Sequence, residues 1–279
     1  MYDYGMRNYD AALVRFFNID RFTEKYVDAS PYHYSANNPV AFRDIAGDSI
    51  RTYFYNKEGK RTNSIPSVVQ KMFNEEFGIS VGYNADTDML YYTGDYNSDL
   101  SQSETATNSL VNALKDDNTG ADSDKHGTIM FGYDMRGVKG GTVAGGQWDR
   151  TGGVYRNGLT QMDLADFDSK GLRNGLTYSS KLNPRAFNLA RIFEHEFLGH
   201  QRLFIGGFGD GDEYNMGKVV QSVNLYARER KLPELLNYGG SIIFFGDTST
   251  YQSKGDQRKA VKKMIDGTMA NNLFVKTKK

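Results

Sequence analysis

The 279-residue chain has no cysteine, one tryptophan, five prolines and only four histidines. Without cysteine there is no disulfide and no zinc–thiolate site, although the compartment stays open on that ground alone. Charge of one sign is also lacking. Lysine and arginine number 34 against 34 aspartates and glutamates, and the isoelectric point is near 6.9. A nucleic-acid reader would be basic, so no nucleic-acid partner is expected. No apolar run approaches the ~18 residues of a transmembrane helix, so no membrane span is expected, and Met1-Tyr-Asp-Tyr does not open a signal peptide. What the chain does have is tyrosine and glycine, nineteen and thirty of them. They fit a β-rich, loop-rich protein that works outside the cytoplasm.

Histidine is so scarce that the string Arg191-Ile-Phe-Glu-His-Glu-Phe-Leu-Gly-His200 stands out. Neutral imidazoles hold zinc, and a carboxylate beside the first ligand can take a proton from water at an open coordination position. His195, Glu196 and His200 supply those residue types. The spacing differs from His-Glu-x-x-His, whose ligands fall about 40° apart around an α-helix. Five steps of about 100° leave His195 and His200 roughly 140° apart on a regular helix. A π-type bulge, with i→i+5 bonding, would realign them, and Gly199 is the residue best able to accept such a distortion. The plainer alternative is a helix carrying two unrelated histidines.

The string resembles the His-Glu-Leu-Leu-Gly-His signature of the dipeptidyl peptidase III family of zinc peptidases. The likeness covers these six residues and implies a mechanism, not a shared fold. That family's second-helix glutamate motif is not visible in this chain. A second resemblance lies at the start. Tyr2-Asp-Tyr-Gly-Met-Arg-Asn-Tyr-Asp10, Leu13-Val-Arg-Phe16 and Pro31-Tyr-His-Tyr-Ser-Ala-Asn-Asn-Pro39 follow one another in the order found at the C-terminal end of the Rhs/YD-repeat core. Val14 stands where that family carries glycine, and Asp20-Arg21 where Asp-Pro is common. This resemblance implies that residues 1–55 are an Rhs core segment and residues 56–279 a polymorphic-toxin domain. It also implies that the chain is the tail of a larger bacterial protein, delivered by secretion or at the cell surface. The remainder of the Rhs shell and a cognate immunity protein would be its partners. His33 is taken as structural.

Between these landmarks, Val68, Val69, Met72, Phe73 and Phe77 keep helical spacing, and Gly78 stops the helix. Ile79–Tyr83 and Met89–Tyr92 flank a turn and read as a hairpin. Residues 101–115 form a second helix. Asp116–Asp124 is an acidic loop without the glycine and terminal glutamate of an EF-hand. The glycine-rich stretch 137–158 lacks the Gly-Lys-Ser/Thr of a phosphate loop and reads as a surface loop bordering the cleft, with Trp148 as a packed anchor. Thr160–Phe167 alternates and suits an edge strand that pairs with an extended substrate. Asn183-Pro184 caps the helix that carries the histidines, and Phe187, Ala190, Phe193 and Phe197 bury it. Glu194 is expected to be exposed.

Two histidines leave zinc short of one protein ligand. Asp212 and Glu213 precede the next helix, capped by Asn215, and Glu213 is the expected third ligand. Glu229 is the alternate, lying about 220° from Met216 and so opposite the buried stripe. Asn224 borders the buried face but is a weak zinc ligand. A basic helix over Lys254–Met269 offers no chemistry.

The expected architecture is α+β, a short β-rich core remnant followed by a zincin-like domain with a metal-binding helix. The expected activity is that of a zinc metallopeptidase using Zn²⁺, with Glu196 catalytic and a protein or peptide as substrate. A non-enzymatic shell or adhesion fragment binding glycan or a protein partner is the alternative. A metal-dependent hydrolase of a non-peptide bond is a third reading.

Overall fold

The computed structural model describes three short N-terminal strands and residues 50–114, 128–134, 146–149, 159–201, 217–237 and 241–277. Residues 31–39, the acidic loop, His126, most of the glycine-rich stretch and residues 202–216 lie outside the described residues, and of Trp148 only the backbone is described. The fold is α+β, with helices laid on mixed sheet.

Strands β1 (Tyr2–Asp3), β2 (Asn8–Asp10) and β3 (Arg15–Phe16) form a small antiparallel sheet. The main sheet has seven strands: β4 (Ile50–Tyr55), β5 (Arg61–Thr62), β6 (Ile79–Asn84), β7 (Met89–Tyr96), β8 (Thr128–Gly132), β9 (Gly146–Asp149) and β10 (Leu159–Asp163). Its order is β6-β7-β4-β8-β10-β9, with β5 paired to β4. β4–β8 and β8–β10 are parallel, and the other pairs are antiparallel. The sheet thus takes in β4, which lies before the domain boundary expected after residue 55.

The hairpin β6–β7 turns where the sequence placed it, with Asn84 Oδ1 accepting from the Asp86 and Thr87 amides and Asp88 at φ +62°. Helix α1 (Ser67–Glu76) buries Val69, Met72 and Phe73, and α2 (Glu104–Leu114) buries Leu110, Ala113 and Leu114. Gly78 follows α1 at φ +65°, where an added Cβ would meet Asn97 O at 2.4 Å. Two expectations need correction here. β10 is not an edge strand, because β8 and β9 flank it and β9 is the outer strand. Nor does it run to Phe167: the Asp163 carboxylate accepts from the Ala165 amide and turns the chain into a 3₁₀ helix over Leu164–Asp166.

A second sheet has β11 (Leu176–Tyr178), β14 (Phe274–Thr277), β13 (Ile242–Gly246) and β12 (Glu234–Leu235) in that order, all antiparallel. Between the two sheets' cores lies the long segment from Asn183. It is not one helix. A 3₁₀ turn (Pro184–Phe187) is capped by Asn183, then Asn188 takes extended backbone. Its Oδ1 accepts from the Arg191 amide and starts α3 (Leu189–Phe193) afresh. Helix α4 (Lys218–Glu229) follows, then the basic α5 (Lys254–Ile265), which is capped by Ser253.

Burial of aromatic side chains sets where α3 sits. Phe193 is fully buried, stacked on Phe131 of β8 and Phe197 and edge-on to Phe73 and Phe77, at centroid distances of 5.1 to 6.2 Å. Four ring contacts, each worth about 0.5–1.5 kcal/mol beyond area burial, fasten this helix between the main sheet and α1. On its other side α4 sends Val220 and Val223 to Leu235, Phe245 and Val275 of the second sheet, while Tyr226 joins the main core.

Candidate metal centre

Beyond Phe193 the chain stays helical, with Glu194 at φ −59° and ψ −42°, but its hydrogen-bond pattern changes. Residues Glu194–Gln201 form a π-helix, the i→i+5 arrangement that brings residues five apart onto one face. His195 and His200 meet there. Their Nε2 atoms stand 3.1 Å apart, with ring centroids at 4.8 Å and planes crossed by 82°. Both histidines and Glu196 are buried.

The π-helix is held along its length. At its start Glu194, fully buried, is an ion-pair partner of Arg191 Nη1 through Oε2 at 3.0 Å. Arg230 Nη2 stands 2.5 Å from Glu194 Oε1, a charge contact without an aligned hydrogen bond. The expectation that Glu194 is exposed is therefore corrected: two guanidinium groups accompany it inside. Arg191 Nη2 also donates to the Val223 carbonyl of α4 at 2.6 Å. Burial is the main effect on Arg191, lowering its pKa to about 10 against the opposing pull of Glu194, so it stays a cation at neutral pH.

Near its middle, Gly199 packs against α4. A Cβ there would lie 2.4 Å from Val219 Cγ1. Its backbone is not in the left-handed region, so glycine is needed for close approach and not for conformational freedom. At the end, Gln201 is fully buried; its Oε1 accepts from Thr160 Oγ1 of β10 at 2.5 Å, and its Nε2 donates to the Thr128 carbonyl of β8 at 3.3 Å. β9, the outer strand of the main sheet, runs beside the π-helix.

The donor pair fits zinc. Two nitrogens at 2.0–2.1 Å from one ion, at a tetrahedral angle, lie roughly 3.3–3.4 Å apart. The observed 3.1 Å corresponds to an angle of about 98° at such bond lengths, a few tenths of an ångström from ideal. The same contact is also satisfied by one imidazole N–H donating to the other nitrogen, so the pair needs no ion to exist.

The third position is a different matter. Glu213 and Asp212 lie outside the described residues. Glu229, the alternate, is engaged elsewhere: it accepts from Ser103 Oγ at 2.6 Å, from the Thr105 amide at 3.1 Å and from Thr105 Oγ1, at the N-terminus of α2. Burial raises its pKa, but these hydrogen bonds outweigh that and hold it below the usual carboxylate range. Asn224 is committed too, clasping the backbone of Leu235 through both side-chain atoms at 2.8 and 3.0 Å. Among the described residues, no group of three or more His, Asp or Glu is gathered to hold a metal.

Sequence reasoning missed Gln201, Arg230 and Glu76 as supports of this site. The Arg191–Glu194 pair carried a signal, a three-residue spacing that puts opposite charges side by side on a helix. Arg230 and Glu76 carried none, because they arrive from other helices. The chain matches no protein-family model, no curated protein and no solved structure.

Proposed function

We propose that this chain is a zinc-dependent peptidase, the toxin or effector domain of an Rhs-type protein, hydrolysing peptide bonds of a target protein. The observation that carries the reading is the facing of the His195 and His200 Nε2 atoms at 3.1 Å, produced by a π-helix with Glu196 inside it. In this reading His195 and His200 hold Zn²⁺, and Glu213 is the third protein ligand. Glu229 is the weaker candidate, because its oxygens already cap α2.

Bound zinc supplies Lewis acidity at the scissile carbonyl and at the attacking water. Glu196 takes one proton from that water as its oxygen bonds to the carbonyl carbon. When the C–N bond breaks, Glu196 delivers the proton to the leaving amine, so acid and amine products balance the water consumed.

The test is elemental analysis of protein purified without chelator, compared with the variant H195A/H200A. About one zinc per chain, absent from the variant, is expected. E196Q should keep its zinc and lose hydrolysis of a peptide library. Protein that neither carries nor takes up zinc would sink this reading and bring forward a non-enzymatic fragment that binds glycan or a protein partner.

A further inference from the structure

The histidine pair depends on where the helix changes from α to π, and that point is Glu194. Continued as an α-helix, the same residues would turn His200 about 140° away from His195. The π form is the rarer of the two, so the segment does not settle into it unaided. Something outside the segment must hold it there.

Glu194 is where outside elements take hold of the start of the π-helix. One oxygen is met by Arg191, which also grips the Val223 carbonyl of α4, and the other by Arg230 at the end of α4. Arg230 Nε stands 3.6 Å from Glu76 Oε2 at the end of α1. Glu76 is fixed in turn by Arg185, through Nε at 3.1 Å and Nη2 at 2.9 Å, and by Asn188 Nδ2 at 3.0 Å. Three arginines and two glutamates thus link α1, the 3₁₀ turn, α3 and α4. Burying such charges is costly, and apolar side chains of similar volume often serve stability as well or better. What apolar side chains cannot supply is direction. With one oxygen hydrogen-bonded to Arg191 and the other drawn by charge toward Arg230 from α4, the Glu194 carboxylate is held toward one rotational setting.

We propose that Glu194 is a positioning residue that sets the π-helix register, and thereby the facing of His195 and His200, through its buried contacts with Arg191 and Arg230. Its consequence for metal affinity rests on the zinc reading above. Its consequence for the imidazole pair does not.

Two variants and two readouts test it. E194Q removes the charge; the triple variant R191M/E194L/R230M replaces the triad with apolar side chains, the kind of exchange that folded proteins tolerate. The first readout is the nuclear Overhauser effect between the two imidazole rings in histidine-labelled protein, assigned with H195A and H200A. The second is zinc affinity by competition with a chelating dye. Wild type should show the ring-to-ring effect, and both variants should lose it while unfolding cooperatively. Zinc should bind 10–100-fold more weakly in both, the range for loss of a group that orients a ligand. A folded triple variant that keeps the ring-to-ring effect overturns the proposal. So does a triple variant that cannot fold, since the triad would then be a stability element. Wild type that binds no zinc, with the ring effect present and lost in the variants, would refute the zinc reading and leave the positioning role standing.

Discussion

Replacing Gly199 with alanine puts a methyl group 2.4 Å from Val219 Cγ1, 3.3 Å from Val219 Cβ and 3.4 Å from the Glu194 carbonyl. Val219 cannot yield, being β-branched, 1% exposed and part of α4. Overpacking a filled site costs about 1–3 kcal/mol. Alanine recovers about 0.5–1 kcal/mol of that through its lower backbone entropy in a helix. The net expectation is a loss of about 1–2 kcal/mol, or a fall of about 2–8 °C in Tm for a chain of this size. Thermal and denaturant unfolding read it directly. The cause is isolated by adding V219A, which alone costs about 2 kcal/mol for its lost methyl groups but makes room for the new one. G199A/V219A should be more stable than the sum of its parts by about 1 kcal/mol. G199A as stable as wild type, or strict additivity in the cycle, would refute the close-approach argument and return Gly199 to the role of a merely permissive residue.

E229Q should lower stability by about 0.5–1 kcal/mol near neutral pH, the worth of a carboxylate at a helix N-terminus. Because the folded pKa of Glu229 is depressed, that contribution is full above the ordinary glutamate value of about 4.3 and is lost as pH falls through the lower folded value. Wild-type and E229Q unfolding curves should therefore converge in acid, and a constant gap down to pH 2 would contradict the hydrogen-bonding assignment. T160V removes the hydroxyl that donates to the buried Gln201 Oε1 and should cost about 1–3 kcal/mol by chemical denaturation. N224A should destabilise by a similar or larger amount, since it strips two hydrogen bonds from the Leu235 backbone, yet leave zinc stoichiometry unchanged. Loss of zinc in N224A without loss of stability would make Asn224 a ligand after all.

How much of this was legible in the sequence depends on how local each cause is. The hairpin at Asn84–Asp88 and the stripe of α1 follow from turn chemistry and spacing within a few residues. The π-helix was legible for an unusual reason: a metal reading of the two histidines was incompatible with 3.6 residues per turn, and the backbone there is wound more loosely. The break at Asn188 was not seen because Asn183-Pro184 offered a complete start signal of its own, and the aromatic stripe runs through both pieces. The depth of Glu194 was hidden for a different reason. A glutamate among phenylalanines reads as exposed unless its partners are known, and Arg230 lies thirty-six positions away in sequence. The edge strand was misplaced by one position because β9 comes from a glycine-rich stretch with no strand-like alternation.

The parallel pairing of β4 with β8 joins Arg51 to Thr128, and all of α1, the hairpin and α2 lie between them in the chain. Such non-local closure is slow compared with helix formation, because the loop entropy is lost before the contacts return it. Thr128 is also the residue whose carbonyl receives Gln201, and the five-residue α-helix with the eight-residue π-helix that follows it is marginal alone in water. The two imidazoles lie five positions apart in sequence, yet the helix that carries them is anchored on a strand whose partner is distant in the chain. A chain whose central strands have not closed therefore lacks the buried Gln201–Thr128 contact at the end of the π-helix.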